Sequence, residues 1–474
     1  MRVAVPPVIE PLDELGRVHF VGIGGAALSG IARIMVARGV PVSGSDRSDS
    51  AMLQSLRGLG IRCWVGHETR HVDDVDTVVV STAVRDDNVE VVRARERGVR
   101  LWPRAAAMQA VMAGSRAVVV TGTHGKTTTT SMLATALISV GADPSYAIGS
   151  TLNASGLNAA VGAGDVFVAE GDESDEAILA YRPVGGVVTN VDVDHLDHFG
   201  SEARYVEVFH AFLDTITPDG FLVCCVDDPG ASRIADEAAG RPLSVIRVGL
   251  GPKADLRAVD CRFVADTSTF EVRRGSESIA QVRLRVPGEH YVRDALAALA
   301  AGIKLGFAPE ALAVGLAEFR GSGRRMELKG EAGGVRVYDS YAHHPVEIAA
   351  DLAAARVVAE AGRVVVCFQP HLFSRTKAFA PEMGAALSSA DEVVVMDVYP
   401  AREEPDPAVT GALVAATVSL PAADVAFVPD WDRTAAEVVA RTRPGDLVIT
   451  LGAGDVTAIG PEVLTLLASR GAIA

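Results

Sequence analysis

The sequence predicts an α/β chain of three successive domains. Three observations point there. Its 474 residues are about three times a ~150-residue domain. Short apolar runs alternate with stretches of helical spacing, the pattern of parallel sheets joined by right-handed crossovers. Several of those runs end in glycine-rich or acidic clusters, and open α/β sheets place their ligands at the carboxyl ends of their strands.

In the first domain, Arg17 to Gly22 is a short β-run, and Gly24 and Gly25 punctuate it. Ala26 to Arg38 follows with helical spacing of Leu28, Ile31, Ile34 and Met35. A second strand begins at Val40 to Ser43 and ends at Asp46, and Val75 to Ser81 is another buried strand. This domain is expected to close near Arg104 to Gly114. The second starts with Arg116 to Thr121 and contains Val166 to Glu170, Gly186 to Asn190 and Phe221 to Val226, each ending in a polar or acidic cluster. Residues 253 to 286 alternate as antiparallel strands do, and Asp294 to Leu305 is an Ala-rich helix. Arg320 to Arg325 (RGSGRR) is the expected hinge. The third domain has strands at Val335 to Tyr338, Arg363 to Phe368, Glu392 to Met396 and Asp446 to Leu451. The expected divisions are 1–108, 109–321 and 322–474. No internal repeat or low-complexity tract interrupts them.

Hydrophobic residues make up 49% and charged residues 22% of the chain, which excludes a disordered, collagen-like or disulfide-framework protein. Acidic residues outnumber basic ones 60 to 44, so a net charge of −16 argues against nonspecific binding to nucleic acid or an anionic membrane. The five cysteines, at 63, 224, 225, 261 and 367, have no metal-ligand spacing, and Cys224 and Cys225, neighbours in the apolar run Phe221 to Val226, read as small apolar residues. The N-terminus has no apolar signal core, and the uncharged stretch Pro144 to Gly164 is too rich in Gly, Ser and Asn to span a bilayer as a helix. A cytoplasmic protein is expected.

The strongest local signal is Thr121-Gly-Thr-His-Gly-Lys-Thr-Thr128, between an apolar strand and a helical run. The glycines permit a tight strand-to-helix turn in which successive backbone N–H groups can face one anion. The helix N-terminus adds partial positive charge. Lys126, one of only five lysines, would neutralise β/γ-phosphate charge, and Thr127 would hold Mg²⁺. Position 120 is Val where a standard phosphate loop has Gly. Replacing Lys126 by Ala is expected to abolish activity with the fold intact. Two acidic clusters follow strands of the same domain: Glu170-Gly-Asp-Glu-Ser-Asp175, and Asp192, Asp194, His195, Asp197 and His198. Carboxylates suit Mg²⁺, and an imidazole could complete a second metal site. Gly22-Ile-Gly-Gly-Ala-Ala-Leu-Ser-Gly30, with Asp46 downstream, is a dinucleotide-type fingerprint. It would suit a dehydrogenase, a nucleotide-sugar binder or a simple tight turn. Beside a separate phosphate loop it is free to bind a diphosphate ligand.

The ordered string GIGGAALSGIA, GTHGKTTTT, EGDESD, NVDVDHLDHFG, RRMEL, DSYAHHPVEI, FQPHLFSRT, DVYPAREEP and GAGD resembles the Mur ligases over nearly the whole chain. GIGGAALSG and FQPH–SRT favour the branch that joins L-alanine to UDP-N-acetylmuramate over the D-glutamate-, diaminopimelate- and D-Ala-D-Ala-adding siblings. The resemblance implies a Rossmann-like N-terminal domain for the UDP-sugar, a central P-loop ATPase-like domain for ATP, and a C-terminal Rossmann-like domain for the amino acid. It implies Gly24, Gly25, Ser29, Asp46 and Ser81 at the UDP-sugar. It places Gly122, Thr123, His124, Gly125, Lys126, Thr127, Thr128, His290 and Arg325 at ATP, with two Mg²⁺ ions held by Thr127, Glu170 and His195. Tyr341, His343, His371 and Arg375 would line the amino-acid site, and His343 could take the amine proton. Three departures stand out: Tyr291 and Asp294 where the family often has Asn, Leu372 where it often has Arg, and no match to the carbamylated Lys of some siblings. The implied reaction activates the lactyl carboxylate as an acyl phosphate, releases ADP, and lets the L-alanine amine displace phosphate; the role is in peptidoglycan precursor synthesis. The expected partners are these small molecules, with no nucleic acid and no membrane, and the chain acts as a monomer or homodimer. The alternatives are a peptide-recycling ligase of the same family using the same UDP-sugar, an NAD-dependent dehydrogenase, which would leave GTHGKT idle, and a noncatalytic nucleotide sensor.

Overall fold

In the N-terminal sheet five strands lie in the order Arg62–Val65, Val42–Asp46, Val18–Val21, Thr77–Val80, Arg100–Pro103, all parallel. Val18–Val21 and Thr77–Val80 are buried along their whole length, as strands covered by helices on both faces must be. Strand order reverses between these two, so the crevice beyond Val21 and Val80 is the expected ligand position. The structure is a computed structural model that describes residues 3–471 except 193, 195–198 and 402.

Ten strands form the second sheet. Arg116–Thr121 lies between Val166–Glu170 and Gly185–Val188, parallel to both. Phe221–Cys225 and Ser244–Gly249 continue the parallel array on one side, and Ser145–Ala147 and Ala159–Ala160 close the other. Residues 253–286 form three hairpin-linked strands, Leu256–Val264, Thr267–Arg274 and Glu277–Leu284, as their alternation predicts. The third sheet has the order Glu327–Ala332, Val335–Ser340, Leu447–Leu451, Val364–Phe368, Glu392–Val395, Val425–Phe427; the first pair is antiparallel and the rest parallel.

The chain divides into two units. One contains Met1–Val259, Glu271–Val282 and Arg293–Phe319; the other contains Asp260–Phe270, Arg283–Val292 and Arg320–Ala474. The first two expected domains thus share a unit, because one apolar core runs from Leu15 through Val111 and Phe209 to Ala238. The helix Arg104–Met112, nearly all alanine, methionine and valine, buries seven of its residues in that core. Among the described residues, no helix is long and apolar enough to cross a membrane.

The N-terminal sheet encloses a polar cluster that its sequence does not advertise. Glu90 is fully buried, with His71 Nδ1 2.6 Å from Oε1, and His67 Nδ1 3.1 Å and His19 Nε2 3.6 Å from Oε2. Ser45 Oγ donates to the same carboxylate at 2.5 Å. Burial pushes the Glu90 carboxyl up, but the hydrogen bonds from His19, Ser45 and His71 win and hold it at about 2. The Ser45 carbonyl in turn accepts from Gly22 N at 2.8 Å and Ile23 N at 3.0 Å, so the cluster braces the glycine turn.

Candidate active site

Among the described residues, the glycine turn, the phosphate loop and the acidic motif each emerge at the carboxyl end of a parallel strand. In the N-terminal sheet, Gly22–Gly25 turn from Val21 into the helix Ala26–Ala37, which Gly25 caps. Asp46, ending the neighbouring strand, accepts from Gly24 N at 2.8 Å. Ser81 follows Val80 across the switch point, and its N–H donates to Val21 O at 3.1 Å. Gly24, Gly25, Asp46 and Ser81 therefore come together where a diphosphate can meet the helix N-terminus. Ser29 is placed differently. It is fully buried, its hydroxyl donates to Ala26 O at 2.9 Å, and it accepts from Asn158 Nδ2 at 3.1 Å. Ser29 thus ties the helix to the segment carrying Asn158.

The phosphate loop joins Arg116–Thr121 to the helix Lys126–Ser139. Gly125 caps that helix at φ 80°, and a Cβ there would stand 2.6 Å from Asp294 Oδ1. Gly122 has φ 133°, and a Cβ would meet Thr189 Oγ1 at 2.1 Å. Both positions need glycine on conformational and steric grounds. Residues after the next strand grip the loop: His124 N donates to Asn190 Oδ1 at 2.8 Å, Asn190 Nδ2 to His124 O at 3.0 Å, and Thr123 N to Asn190 O at 3.1 Å. Thr128 is buried in the first helical turn. Lys126 Nζ donates to Thr123 O at 2.9 Å and lies 2.9 Å from Glu173 Oε2. Burial disfavours the Lys126 charge, but Glu173 and Asp172 outweigh it and raise its pKa.

The acidic motif Glu170–Asp175 sorts by partner. Glu170 Oε1 accepts from Thr127 Oγ1 at 2.9 Å, and Oε2 from Gly149 N at 2.6 Å. Asp172 and Asp175 instead hold Arg104, at 3.1 and 2.7 Å, and Glu173 holds Lys126. Arg104 and Lys126 keep the partly exposed Asp172 well below the usual carboxylate range. So one of the motif's four carboxylates faces Thr127 and the other three neutralise half-buried cations. The hydroxyl and carboxylate oxygens of Thr127 and Glu170 fit a hard divalent ion, because octahedral Mg²⁺ at ~2.1 Å sets adjacent ligands about 3 Å apart. His195, the expected ligand of a second ion, lies outside the described residues. Asp294 is 7% exposed and accepts from Thr129 Oγ1 at 3.1 Å, so it backs the loop's helix.

The C-terminal unit collects its own set of predicted residues. Tyr341 and His343 follow Val335–Ser340, and His371 and Arg375 follow Val364–Phe368. The rings of Tyr341 and His343 lie 5.4 Å apart, and those of His343 and His371 5.6 Å apart. Arg375 Nη1 is 3.2 Å from His371 Nδ1, and Arg375 is 6% exposed. His343 Nδ1 is 2.9 Å from Tyr341 O, which can only accept, so in the neutral ring the hydrogen is on Nδ1 and the lone pair on Nε2. The guanidinium of Arg325 lies 5.0 Å over the Tyr341 ring. His290 leans on Tyr291 with centroids 4.1 Å apart, and its Nε2 is 3.8 Å from Asp351 Oδ1. Burial pushes Asp351 up to about 6, against the pull of Ser340 and Arg325. Leu372 occupies a left-handed φ of 70° and is 3% exposed, so its side chain packs inward at the start of Phe373–Leu387.

Several participants escape sequence reasoning: Tyr205 behind Lys126, Asn190 beneath the loop, and Tyr399, whose ring stacks on His371 at 5.8 Å and 14°. Glu173, one of four carboxylates read as candidate metal ligands, pairs with Lys126 instead, and for Asn190 and Tyr399 a place in a motif segment is the only signal.

Comparison with known proteins identifies the family. The model of the Mur ligase family catalytic domain matches residues 17–116, the Mur ligase middle domain residues 120–302, and the Mur ligase glutamate ligase domain residues 324–454. The chain is 60% identical over 469 residues to the UDP-N-acetylmuramate–L-alanine ligase of Nocardioides sp., covering 98% of this chain and 100% of that one. It is 48% identical to the protein of that name from Thermobifida fusca, with 98% and 100% coverage. The crystal structure of UDP-N-acetylmuramate–alanine ligase from Thermotoga maritima superposes with a TM-score of 0.81 at 29% identity, covering 96% of this chain and 99% of that one. On this identity and coverage, with three domain models in order along the chain, the protein belongs to the Mur ligase family.

Proposed function

We propose that this chain joins L-alanine to the lactyl carboxylate of UDP-N-acetylmuramate at the expense of ATP, in peptidoglycan precursor synthesis in the cytoplasm. The observation that supports it most is the phosphate loop, where Lys126 and the Thr127–Glu170 pair stand side by side at the end of the central strand. The names and full-length coverage of the relatives support the choice of substrates. The domain divisions are 1–108 for the UDP-sugar, 109–321 for ATP and 322–474 for the amino acid.

A carboxylate must be activated before an amine can displace its oxygen. The γ-phosphoryl group of ATP passes to the lactyl carboxylate, ADP leaves, and the acyl phosphate is attacked by the L-alanine amine with loss of phosphate. Thr127 and Glu170 would hold a Mg²⁺ ion, which would neutralise phosphate charge, and His195 would serve a second ion. Gly122, Thr123, His124 and Gly125 supply the turn, Lys126 offsets charge on the transferring group, and Thr128 anchors the first helical turn. His290 and Arg325 serve the nucleotide. Gly24, Gly25, Asp46 and Ser81 hold the UDP-sugar, with Ser29 supporting the helix. Arg375 holds the alanine carboxylate with Tyr341 and His371, and the Nε2 lone pair of His343 accepts the amine proton. ADP release with UDP-N-acetylmuramate, testing L-alanine, other amino acids and a tripeptide in turn, decides the reading. Preference for the tripeptide would move the protein to the peptide-recycling branch.

A further inference from the structure

Behind the phosphate loop, Lys126, Glu173, Tyr205 and Thr123 close a ring, and the proposed reaction gives no role to two of its members, Glu173 and Tyr205. Lys126 Nζ lies 2.9 Å from Oε2 and 3.1 Å from Oε1 of Glu173. Glu173 Oε1 accepts from the Tyr205 hydroxyl at 3.3 Å, and that hydroxyl is 2.8 Å from Thr123 Oγ1. Thr123 returns to the lysine through its carbonyl, 2.9 Å from Nζ, and its Oγ1 accepts from Asp192 N at 2.9 Å. Both Glu173 and Tyr205 are fully buried. The Tyr205 ring is wedged edge-on between Phe199, at 5.4 Å, and Phe209, at 5.3 Å.

Hydrogen-bond chemistry gives the ring a direction. A carboxylate only accepts, so the Tyr205 proton goes to Glu173, while the Thr123 hydroxyl has two acceptors within reach, the Tyr205 oxygen at 2.8 Å and Asp192 O at 3.1 Å. An ammonium has three donors, and Lys126 spends them on Gly122 O, Thr123 O and Glu173. A lysine is a mobile point charge on a four-carbon stem, unlike a planar guanidinium. To act on a phosphoryl group in transit its ammonium must be held in place, and fixed geometry near a reacting centre is what preorganised charge requires. The carboxylate pins the ammonium, the hydroxyl pins the carboxylate, and the loop's own Thr123 pins the hydroxyl.

We infer that Glu173 and Tyr205 form a positioning pair that fixes the Lys126 ammonium within the phosphate loop. Neither touches the reacting atoms. The inference rests on the ATP-dependent reading of this site and assigns that site two further residues. Phosphate binding exchanges one lysine donor from a loop carbonyl to a phosphate oxygen, while Glu173 keeps its own.

Tyr205→Phe removes the hydroxyl and keeps the ring between Phe199 and Phe209. Glu173→Gln keeps an oxygen acceptor without the charge, and Glu173→Ala removes both. Each variant is assayed in the full chain for kcat, for the KM of ATP, L-alanine and UDP-N-acetylmuramate, and for thermal unfolding. A positioning role predicts a kcat about 10-fold lower in Y205F and about 100-fold lower in E173A, with E173Q recovering roughly a tenfold share of that loss and the KM for L-alanine unmoved. Y205F and E173A within twofold of wild-type kcat would overturn it. So would a fall in unfolding temperature with all three KM values rising together and no recovery in E173Q, which is the signature of packing alone. Wild-type protein that releases ADP without alanyl product would refute the substrate reading, and the inference would then be judged on ATP hydrolysis by the same variants.

Discussion

Lys126→Ala should do more than stop the reaction. The sequence predicts that loss of the phosphate-loop Lys126 spares the fold, yet its partner Glu173 has 0% exposure. Deleting one member of a buried ion pair costs about 3–5 kcal/mol, because the remaining charge keeps its desolvation penalty without its counterion. Set against a typical domain stability of about 5–15 kcal/mol, that is a large fraction. Losing the point charge on the transferring phosphoryl group should also slow turnover at least ~100-fold, or roughly 2.7 kcal/mol of barrier. Burial, with the charge of Asp172 adding to it, pushes Glu173 up to about 7 even with the lysine present. In the alanine variant its folded pKa therefore lies above the unfolded value, so the protonated folded form is favoured at low pH and stability is lost as pH rises. The deficit against wild type should be small near pH 5 and grow toward pH 8. A second variant, Lys126→Met with Glu173→Gln, removes both charges at similar volume and should regain most of the stability while staying inactive. Urea midpoints by far-UV circular dichroism at three pH values, alongside ADP release, separate the two effects. Turnover of K126A within a fewfold of wild type would remove the phosphate-loop assignment. Stability equal to wild type at pH 8 would show that Glu173 and Lys126 are not an ion pair.

Glu170→Gln should raise the Mg²⁺ concentration for half-maximal rate, because the amide keeps one ligand oxygen and loses the charge; a magnesium titration that overlays wild type places the metal elsewhere. Arg375→Lys should raise the KM for L-alanine far more than that for ATP, since a planar fork is lost at a carboxylate; an alanine KM that stays put removes Arg375 from the site. Glu90→Gln should cost on the order of 3 kcal/mol at pH 7, from the gap between its folded value of about 2 and the ordinary 4.5. The folded value is depressed, so this stability is complete above pH 4.5 and drains as pH falls toward 2, and the variant's deficit should shrink to about half by pH 3. Burial also lowers His19, which adds stability above pH 6.5 that fades on acidification. Urea midpoints for E90Q and wild type at pH 7 and pH 3 test it, and an equal deficit at both would refute the linkage.

What the sequence reveals depends on how local the physics is. The strand Arg116–Thr121 and the loop after it are legible because a run of β-branched residues and a Gly-bounded turn are determined within ten residues. The same holds for the hairpins of residues 253–286, where alternation has a period of two. Arg62–Val65 and Arg100–Pro103 pass unnoticed, since each is short, carries an arginine and an exposed or half-buried edge position, and becomes a strand only by pairing. The helix predicted from Asp294 starts at Glu289, because Gly288, at φ 134°, ends the preceding extended segment. His290 and Tyr291 thereby sit in its first turn.

The acidic motif shows the harder limit. Four carboxylates in six residues are indistinguishable by spacing, and any could have been a metal ligand. Sequence separations of 43 residues from Thr127 to Glu170, 47 from Lys126 to Glu173, and 68 and 71 from Arg104 to Asp172 and Asp175 decide their roles. Three of the four exist to make half-buried cations affordable in a low-dielectric interior. The same constraint explains why the loop can present a lysine at all. An ammonium at the end of a buried strand needs a counterion before any phosphate arrives, and that counterion must sit where phosphate does not. Glu173, approached from the tyrosine side, meets both conditions. A carboxylate on the phosphate side would repel the nucleotide it is meant to prepare for, so the division between Glu170 at the Thr127 hydroxyl and Glu173 at the Lys126 ammonium follows from the charge of the substrate itself.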